Sequence, residues 1–228
     1  KINRLLPQFI VPLKKEKLRN KNKISGIKTE ELDDIDTILK KLTLDTTVEK
    51  AGWITGGIKT AKRFLESFIL KKIDYFGTLR NDPANDYQSH LSPFLHFGQI
   101  SSLSIVEKIE NIESPGKAAF LEELIIRREL SINFVDKNPE YDTFHCLPAW
   151  AVKTLWAHKK DKRHYLYNRD DLEYSHTHDT YWNTAQYQLV KTGMMHGYMR
   201  MYWGKKILEW SATPEEAFKN ALYLNNKY

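Results

Sequence analysis

Between Thr177 and Trp210 the chain reads THDTYWNTAQYQLVKTGMMHGYMRMYWGKKILEW, with three tryptophans in two segments of helical character. Trp203 and Trp210 are seven residues apart, which on a helix rising about 1.5 Å per residue places both on one face about 10 Å from each other. Trp182, from the segment before, is expected to approach the same place. The stretch reads as a basic, aromatic-rich helix pair. The file of indoles has three uses open to it: core, a surface on which bases stack, or a route for single electrons.

The rest of the chain agrees with a helical body. Ile58–Phe76 repeats apolar residues at helical spacing (Phe64, Leu65, Phe68, Ile69, Ile73) and predicts one helix. Ser114-Pro115-Gly116 predicts the opening of another that runs to Phe134, with proline at the favoured first position. Thr213-Pro214-Glu215-Glu216 predicts a capped start of a helix to Leu224, with Thr213 and Glu216 forming a capping box. Glu30–Leu42 is marginally helical, Trp53 with Gly56-Gly57 marks a turn, and Thr78–Pro93 reads as loop. No alternating strand pattern repeats, and the expected fold class is all-α. Two segments are expected: residues 1–28, an apolar clasp (INRLLPQFIVPL) and charged linker closing a preceding domain, and residues 29–228, the helical domain, cut short at its end.

Charge points toward a polyanion. The net charge is +6, and residues 1–30 hold nine Lys/Arg against two Glu. That run is by itself an ordinary solvated linker. No apolar run reaches the ~18–20 residues of a membrane span, so no membrane partner is expected, and an intracellular monomer is. The single cysteine, Cys146, excludes internal disulfides and any multi-cysteine metal site.

Three clusters carry possible chemistry. His176, His178 and Asp179 invite a metal, but their spacing is not that of a helical zinc pair, and Thr177 with Asp179 reads better as a helix start; no metal is expected. In EELIIRREL (Glu122–Leu130), Glu122, Glu123, Arg127, Arg128 and Glu129 form a charged set. Either Glu123 and Arg127 make an i, i+4 pair worth about 0.2–0.5 kcal/mol, or an Arg or Glu of the set faces a polar ligand while Leu124, Ile125 and Leu130 pack inward. Ser89 and Ser92 in SHLSPFLHFGQIS (Ser89–Ser101) precede a proline-led turn, where backbone N–H groups can hold a phosphate. No glycine-rich phosphate loop and no nucleophile elbow is visible, so hydrolytic machinery is lacking.

Together these strings resemble the class II cyclobutane pyrimidine dimer photolyases of the photolyase/cryptochrome family. The motifs that carry the resemblance are RNDP (Arg80–Pro83), LSPFLHFGQIS (Leu91–Ser101), FLEELIIRRELSINF (Phe120–Phe134), THDTYWNTAQ (Thr177–Gln186), TGMMHGYMRMYWGKKILEW (Thr192–Trp210) and LNNKY (Leu224–Tyr228). The resemblance implies a helical domain that binds FAD, active in its reduced form, and repairs pyrimidine dimers in UV-damaged DNA by light-driven electron transfer. A cryptochrome-like photoreceptor and an inactive fragment are the alternatives. The cofactor then carries the reaction, and the protein supplies placement and electrostatics.

By the same resemblance Gln88, Ser89, His90, Leu91 and Ser92 match the flavin-phosphate loop. Phe76 stands where a tyrosine is usual, Arg200 lies beside the flavin ring, and Asn225 sits at its reactive nitrogen. Arg80 matches a DNA-phosphate contact and Glu123 the acid that hydrogen-bonds the dimer. Gly197, Tyr198 and Met201 match the lesion-facing segment, to which Arg127 is added, and Glu123, Asn225 and Met201 form the catalytic set. Trp203, Trp182 and Trp210 match the photoreduction chain, with Tyr167 as a side member. Because the chain stops before an aspartate-rich loop of the family, Arg200 is expected to face the pocket unpaired. The antenna pigment is left open.

Overall fold

The structure, a computed structural model, describes residues 2–12 and 34–228. The expected linker at 14–28 therefore lies outside the described residues. Among the described residues every regular element is helical, as the patterning predicts: α1 (Ile2–Phe9), α2 (Ile35–Lys40), α3 (Ile58–Lys71), α4 (Ile73–Leu79), α5 (Ser92–His96), α6 (Ser102–Glu110), α7 (Lys117–Leu121), α8 (Arg128–Lys137), α9 (Ala149–Ala157), α10 (Arg169–Glu173), α11 (Thr180–Thr192), α12 (Gly197–Trp210) and α13 (Pro214–Lys227). None of these helices is long and apolar enough to cross a membrane.

Two apolar cores organise them. The first gathers α3 to α7 around Leu65, Phe68, Ile73, Phe76, Ile105, Ile109 and Phe120, and Ile10, just beyond α1, packs against it. The second gathers α10 to α13. Its helices bury stripes at helical spacing: Trp182, Ala185, Gln186 and Leu189 on α11, then Trp203, Ile207 and Trp210 on α12. Trp53 bridges the two, its indole N–H donating to the Thr192 carbonyl at 2.7 Å.

Several boundaries differ from the sequence expectation, each for a local reason. The single helix expected over 58–76 is two, broken at Lys72 (φ −127°, ψ −29°), so that α4 sets out in a new direction. That turn lets Phe76 meet Phe68 and Phe120 edge-on, with centroids 5.6 and 5.4 Å away. The expected opening at Ser114-Pro115-Gly116 is delayed to Lys117, and Pro115 precedes the helix. Gly116 is pressed against α4: a Cβ there would stand 1.8 Å from the Ile73 carbonyl oxygen, which only glycine avoids.

The helix that follows does not end at Phe134 but runs to Lys137, and its middle is a π segment, Glu122–Arg127. One extra residue is accommodated in a turn there, and the Arg128 N–H reaches back to the Glu123 carbonyl. The cap of α11 is Asp179, whose carboxylate accepts from the Trp182 N–H at 2.9 Å, and not Thr177. Thr177 supports it instead by accepting from the Asp179 N–H and donating to Asn183. Gly193 closes α11 in the left-handed region (φ 68°). Thr213 caps α13, which continues three residues past Leu224, and a full capping box appears at Asn168/Asp171 before α10.

Candidate functional site

A half-open cleft of about 770 Å³ lies along the first core, with Gly197 at the start of α12 closing one side. Its apolar floor is Phe76, Leu91, Phe120 and Leu124, and its polar groups are Arg80, Asn81, Gln88, Ser89, Ser92, His96, Glu123 and Arg128. Sequence-expected residues from four separate stretches are thus brought together: Phe76, Arg80, the loop Gln88–Ser92 without His90, Glu123 and Gly197.

The π segment decides which residues face the cleft. On a regular helix Glu123 and Arg127 would be neighbours. In the π turn residues five apart align, so Arg127 Nε pairs with Glu122 at 3.4 Å on the exposed side. Glu123 and Arg128, also five apart, both turn inward. Glu123 receives a hydrogen bond from Arg80 Nη1 at 2.5 Å, and the expected Glu123–Arg127 pair does not form. Arg80 is held over the Phe76 ring, 5.5 Å from its centroid, while its Nε is buried with no partner. Charge at the cleft wall is therefore paired yet incompletely satisfied, with 26% and 42% of the two side chains exposed.

The loop at 86–91 is anchored from behind. Lys72 donates to Asp86 at 2.7 Å and to the Gln88 carbonyl at 3.3 Å, and His90 lies 2.6 Å from the same carboxylate. Burial works to raise the Asp86 pKa, but Lys72 and His90 together hold it below the ordinary carboxylate value. This clamp carries the His90 side chain, in a left-handed backbone (φ 55°), away from the cleft into a separate 350 Å³ pocket with Arg63, Ser67 and Lys72. The Gln88 amide donates to the Arg80 carbonyl at 2.6 Å and lies 3.3 Å from His196, the cap of α12.

Six residues expected to meet the cofactor or the lesion stand outside the cleft lining: His90, Arg127, Tyr198, Arg200, Met201 and Asn225. Tyr198 and Met201 are about half exposed on α12, beside Gly197. Arg200 Nη1 donates to Asn225 Oδ1 at 2.5 Å, so α13 supplies a neutral hydrogen-bond partner and not an acid.

All three indoles are buried in the second core, as their spacing suggests. Trp182 and Trp210 pack edge-on with centroids 5.5 Å apart, and the Trp182 N–H donates to the Trp203 carbonyl at 3.1 Å. The Trp203 N–H donates to the buried Gln186 amide at 2.7 Å. Tyr167 continues the file, 5.5 Å from Trp210. Asp179 accepts from the Tyr202 hydroxyl; burial and then that carboxylate push the phenol up to about 12. His178 bonds Tyr167.

Phe120, Asn81, His96 and Ile132 line the cleft without having been singled out in the sequence, and Arg128 lines it as one member of the charged set in EELIIRREL. No signal in EELIIRREL separates Arg128 from Arg127, since the string fits an ordinary helix.

No protein-family model matches the chain. Over all of its length the chain is 43% identical to a deoxyribodipyrimidine photo-lyase of Methanothermobacter thermautotrophicus, covering 50% of that protein. It is 44% identical to one of Potorous tridactylus over 82% of this chain and 36% of the other, and 40% identical to one of Arabidopsis thaliana over 100% and 48%. The chain spans about half the length, or less, of the curated relatives it matches. Its fold superposes on a bacterial class III photolyase from Agrobacterium tumefaciens with a TM-score of 0.61 at 20% identity, over 89% of this chain and 44% of that one.

Proposed function

The chain belongs to the photolyase family, and from that premise we propose that it is the helical part of a light-driven lyase that binds FAD in the cleft and repairs cyclobutane pyrimidine dimers in DNA. The observation that carries this reading is the convergence of Gln88, Ser89, Leu91 and Ser92 with Arg80 and Glu123 on one cavity. Its volume, near 770 Å³, falls within the roughly 300–1,000 Å³ of ligand pockets. A flat apolar floor beside hydroxyl, amide and guanidinium groups suits a ring system joined to phosphates. The buried, partnerless Arg80 Nε is a donor still wanting an acceptor.

The chemistry FAD supplies when bound is donation of one electron under light to the dimer, and its recovery once the ring has split. The residues do the rest. Ser89, Ser92, Gln88 and Arg128 hold polar parts of the cofactor, and Phe76, Leu91 and Phe120 exclude water from its rings. Glu123 hydrogen-bonds the dimer, where preorganised polar groups act on developing charge. Arg80 keeps Glu123 ion-paired until a DNA phosphate offers a charge-assisted alternative, a contact that positions the strand without reading sequence. Gly197, Tyr198 and Met201 form the rim that meets the extruded lesion. Arg200 and Asn225 act as a pair toward the ring of the cofactor. Trp210, Trp182 and Trp203 pass electrons inward to keep the flavin reduced.

The test is reconstitution with FAD, then illumination with a dimer-containing oligonucleotide. Retained flavin and light-dependent dimer loss are expected, and Glu123→Gln should keep the flavin but repair on the order of a hundred-fold more slowly. Bound flavin with intact dimers would point to a photoreceptor. A chain that retains no flavin sinks the assignment of the cleft.

A further inference from the structure

Beyond Trp210 the aromatic file runs outward into a hydrogen-bonded pair. The Tyr167 oxygen accepts from the His178 backbone N–H at 3.0 Å and lies 2.8 Å from His178 Nδ1. That backbone group only donates, so the phenol's own proton is free to point at Nδ1, and with His178 in the tautomer protonated on Nε2 the Nδ1 atom accepts it. Both rings touch Trp210, with centroids 5.5 Å (Tyr167) and 5.2 Å (His178) away. Tyr165, half exposed, stacks on the imidazole at 3.8 Å and opens the pair to solvent.

Trp210 is the opposite case. It is 1% exposed, and its indole N–H is buried with no acceptor. Lys206 Nζ lies 5.5 Å from its ring centroid. That ammonium is ion-paired with Glu209 at 2.9 Å, and an oxidised Trp210 has no local acceptor to which it can give up its N–H proton.

We infer that His178 is the proton acceptor that lets Tyr167 end the electron path. The step rests on the reading that light draws electrons inward along the tryptophans. An electron passes from Trp210 to the oxidised indole of Trp182, leaving a radical cation on Trp210. Tyr167 then gives one electron to Trp210 and its hydroxyl proton to His178 Nδ1. Trp210 returns to its neutral form, Tyr167 becomes a neutral tyrosyl radical, and His178 becomes imidazolium; one electron and one proton are moved, and none is lost. The positive charge comes to rest beside solvent rather than in the core. The charged and titratable groups around the pair and Trp210 include Tyr165 from its own loop, Asp179 at the start of α11, engaged by Tyr202, and, on α12, Lys206 with its ion-pair partner Glu209.

The test needs no flavin. An ultraviolet flash ionises indoles in the chain as it stands, and transient absorption with electron paramagnetic resonance separates indole radical cations from tyrosyl radical. Trp210→Phe and Tyr167→Phe identify the signal that belongs to this pair. In the unaltered chain, tyrosyl formation on Tyr167 should be slower in D2O and should fail in acid that protonates the imidazole beforehand. His178→Phe, which keeps a flat ring under Tyr165, should slow it on the order of a hundred-fold. His178→Ala should be slow as well and recover with added imidazole. Equal tyrosyl yield in both His178 variants, or no dependence on pH and D2O, overturns the role of His178. Flavin photoreduction in the FAD-loaded protein is read separately, so a failure there counts against the parent reading alone.

Discussion

In the core built from α3 to the π segment, polar side chains gather at the edge of an open cleft; in the core of α10 to α13 they are sealed in with the indoles. Arg80 and Glu123 pair at the cleft wall while partly exposed. Gln186, wholly buried, instead binds Trp203 through its carbonyl and the Glu173 carbonyl through its amide. Glu173, 5% exposed, is closed off by Lys227 at 2.7 Å and the Tyr228 hydroxyl at 2.6 Å. A binding site keeps exchangeable, imperfectly satisfied groups, because a ligand must displace their partners. The second core keeps fixed ring positions, held beside Trp203 by the neutral amide of Gln186, and its buried acid, Glu173, is matched by Lys227.

Substitutions should therefore cost folding in the second core and binding in the first. The largest effect on stability is expected from Trp182→Ala, which empties a fully buried indole site: about 3–5 kcal/mol in urea unfolding. Next is Glu173→Gln, which strands Lys227 in a mostly buried position, at about 3 kcal/mol. Burial alone would raise the Glu173 pKa, but Lys227 and Tyr228 reverse that and lower it. Because the folded pKa is depressed, the carboxylate's contribution is full above the unfolded value and is lost as pH falls through the folded one. The gap between the unaltered chain and Glu173→Gln should accordingly close on acidification, and a gap that widens would contradict the assignment.

Asp179→Ala removes the cap of α11 and the acceptor of Tyr202 together, at about 1–2 kcal/mol. Ultraviolet titration should then find the Tyr202 phenol ionising below its present value of about 12. The smallest stability effect, under about 1 kcal/mol, is expected from Arg80→Gln, whose ion pair is partly solvated. Its cost should appear in DNA affinity instead, as a weaker salt dependence. An Arg80→Gln chain as unstable as Trp182→Ala would erase the distinction between the two cores.

Much of this was legible before any coordinates. Helical spacing located α11 and α12, and the seven-residue interval put Trp203 and Trp210 on one buried face, because both follow from the period of a helix. The π segment was not legible, since EELIIRREL fits an ordinary helix equally well until α4 stands beside it. Only packing shows that Glu123 reaches Arg80, that Arg128 rather than Arg127 lines the cleft, and that Arg200 finds Asn225.

His178 shows the same division in one residue. Its place before a helix came from the pattern THDTYW, but its partner Tyr167 lies eleven positions earlier, brought there by the packing of α10 against α11. Local period and capping chemistry are written in neighbouring residues, so the sequence by itself determined which segments are helices and which faces they bury. Pairings between distant segments depend on how those faces lock together, and for that reason the cleft's charges and the end of the aromatic file were decided only by the tertiary structure.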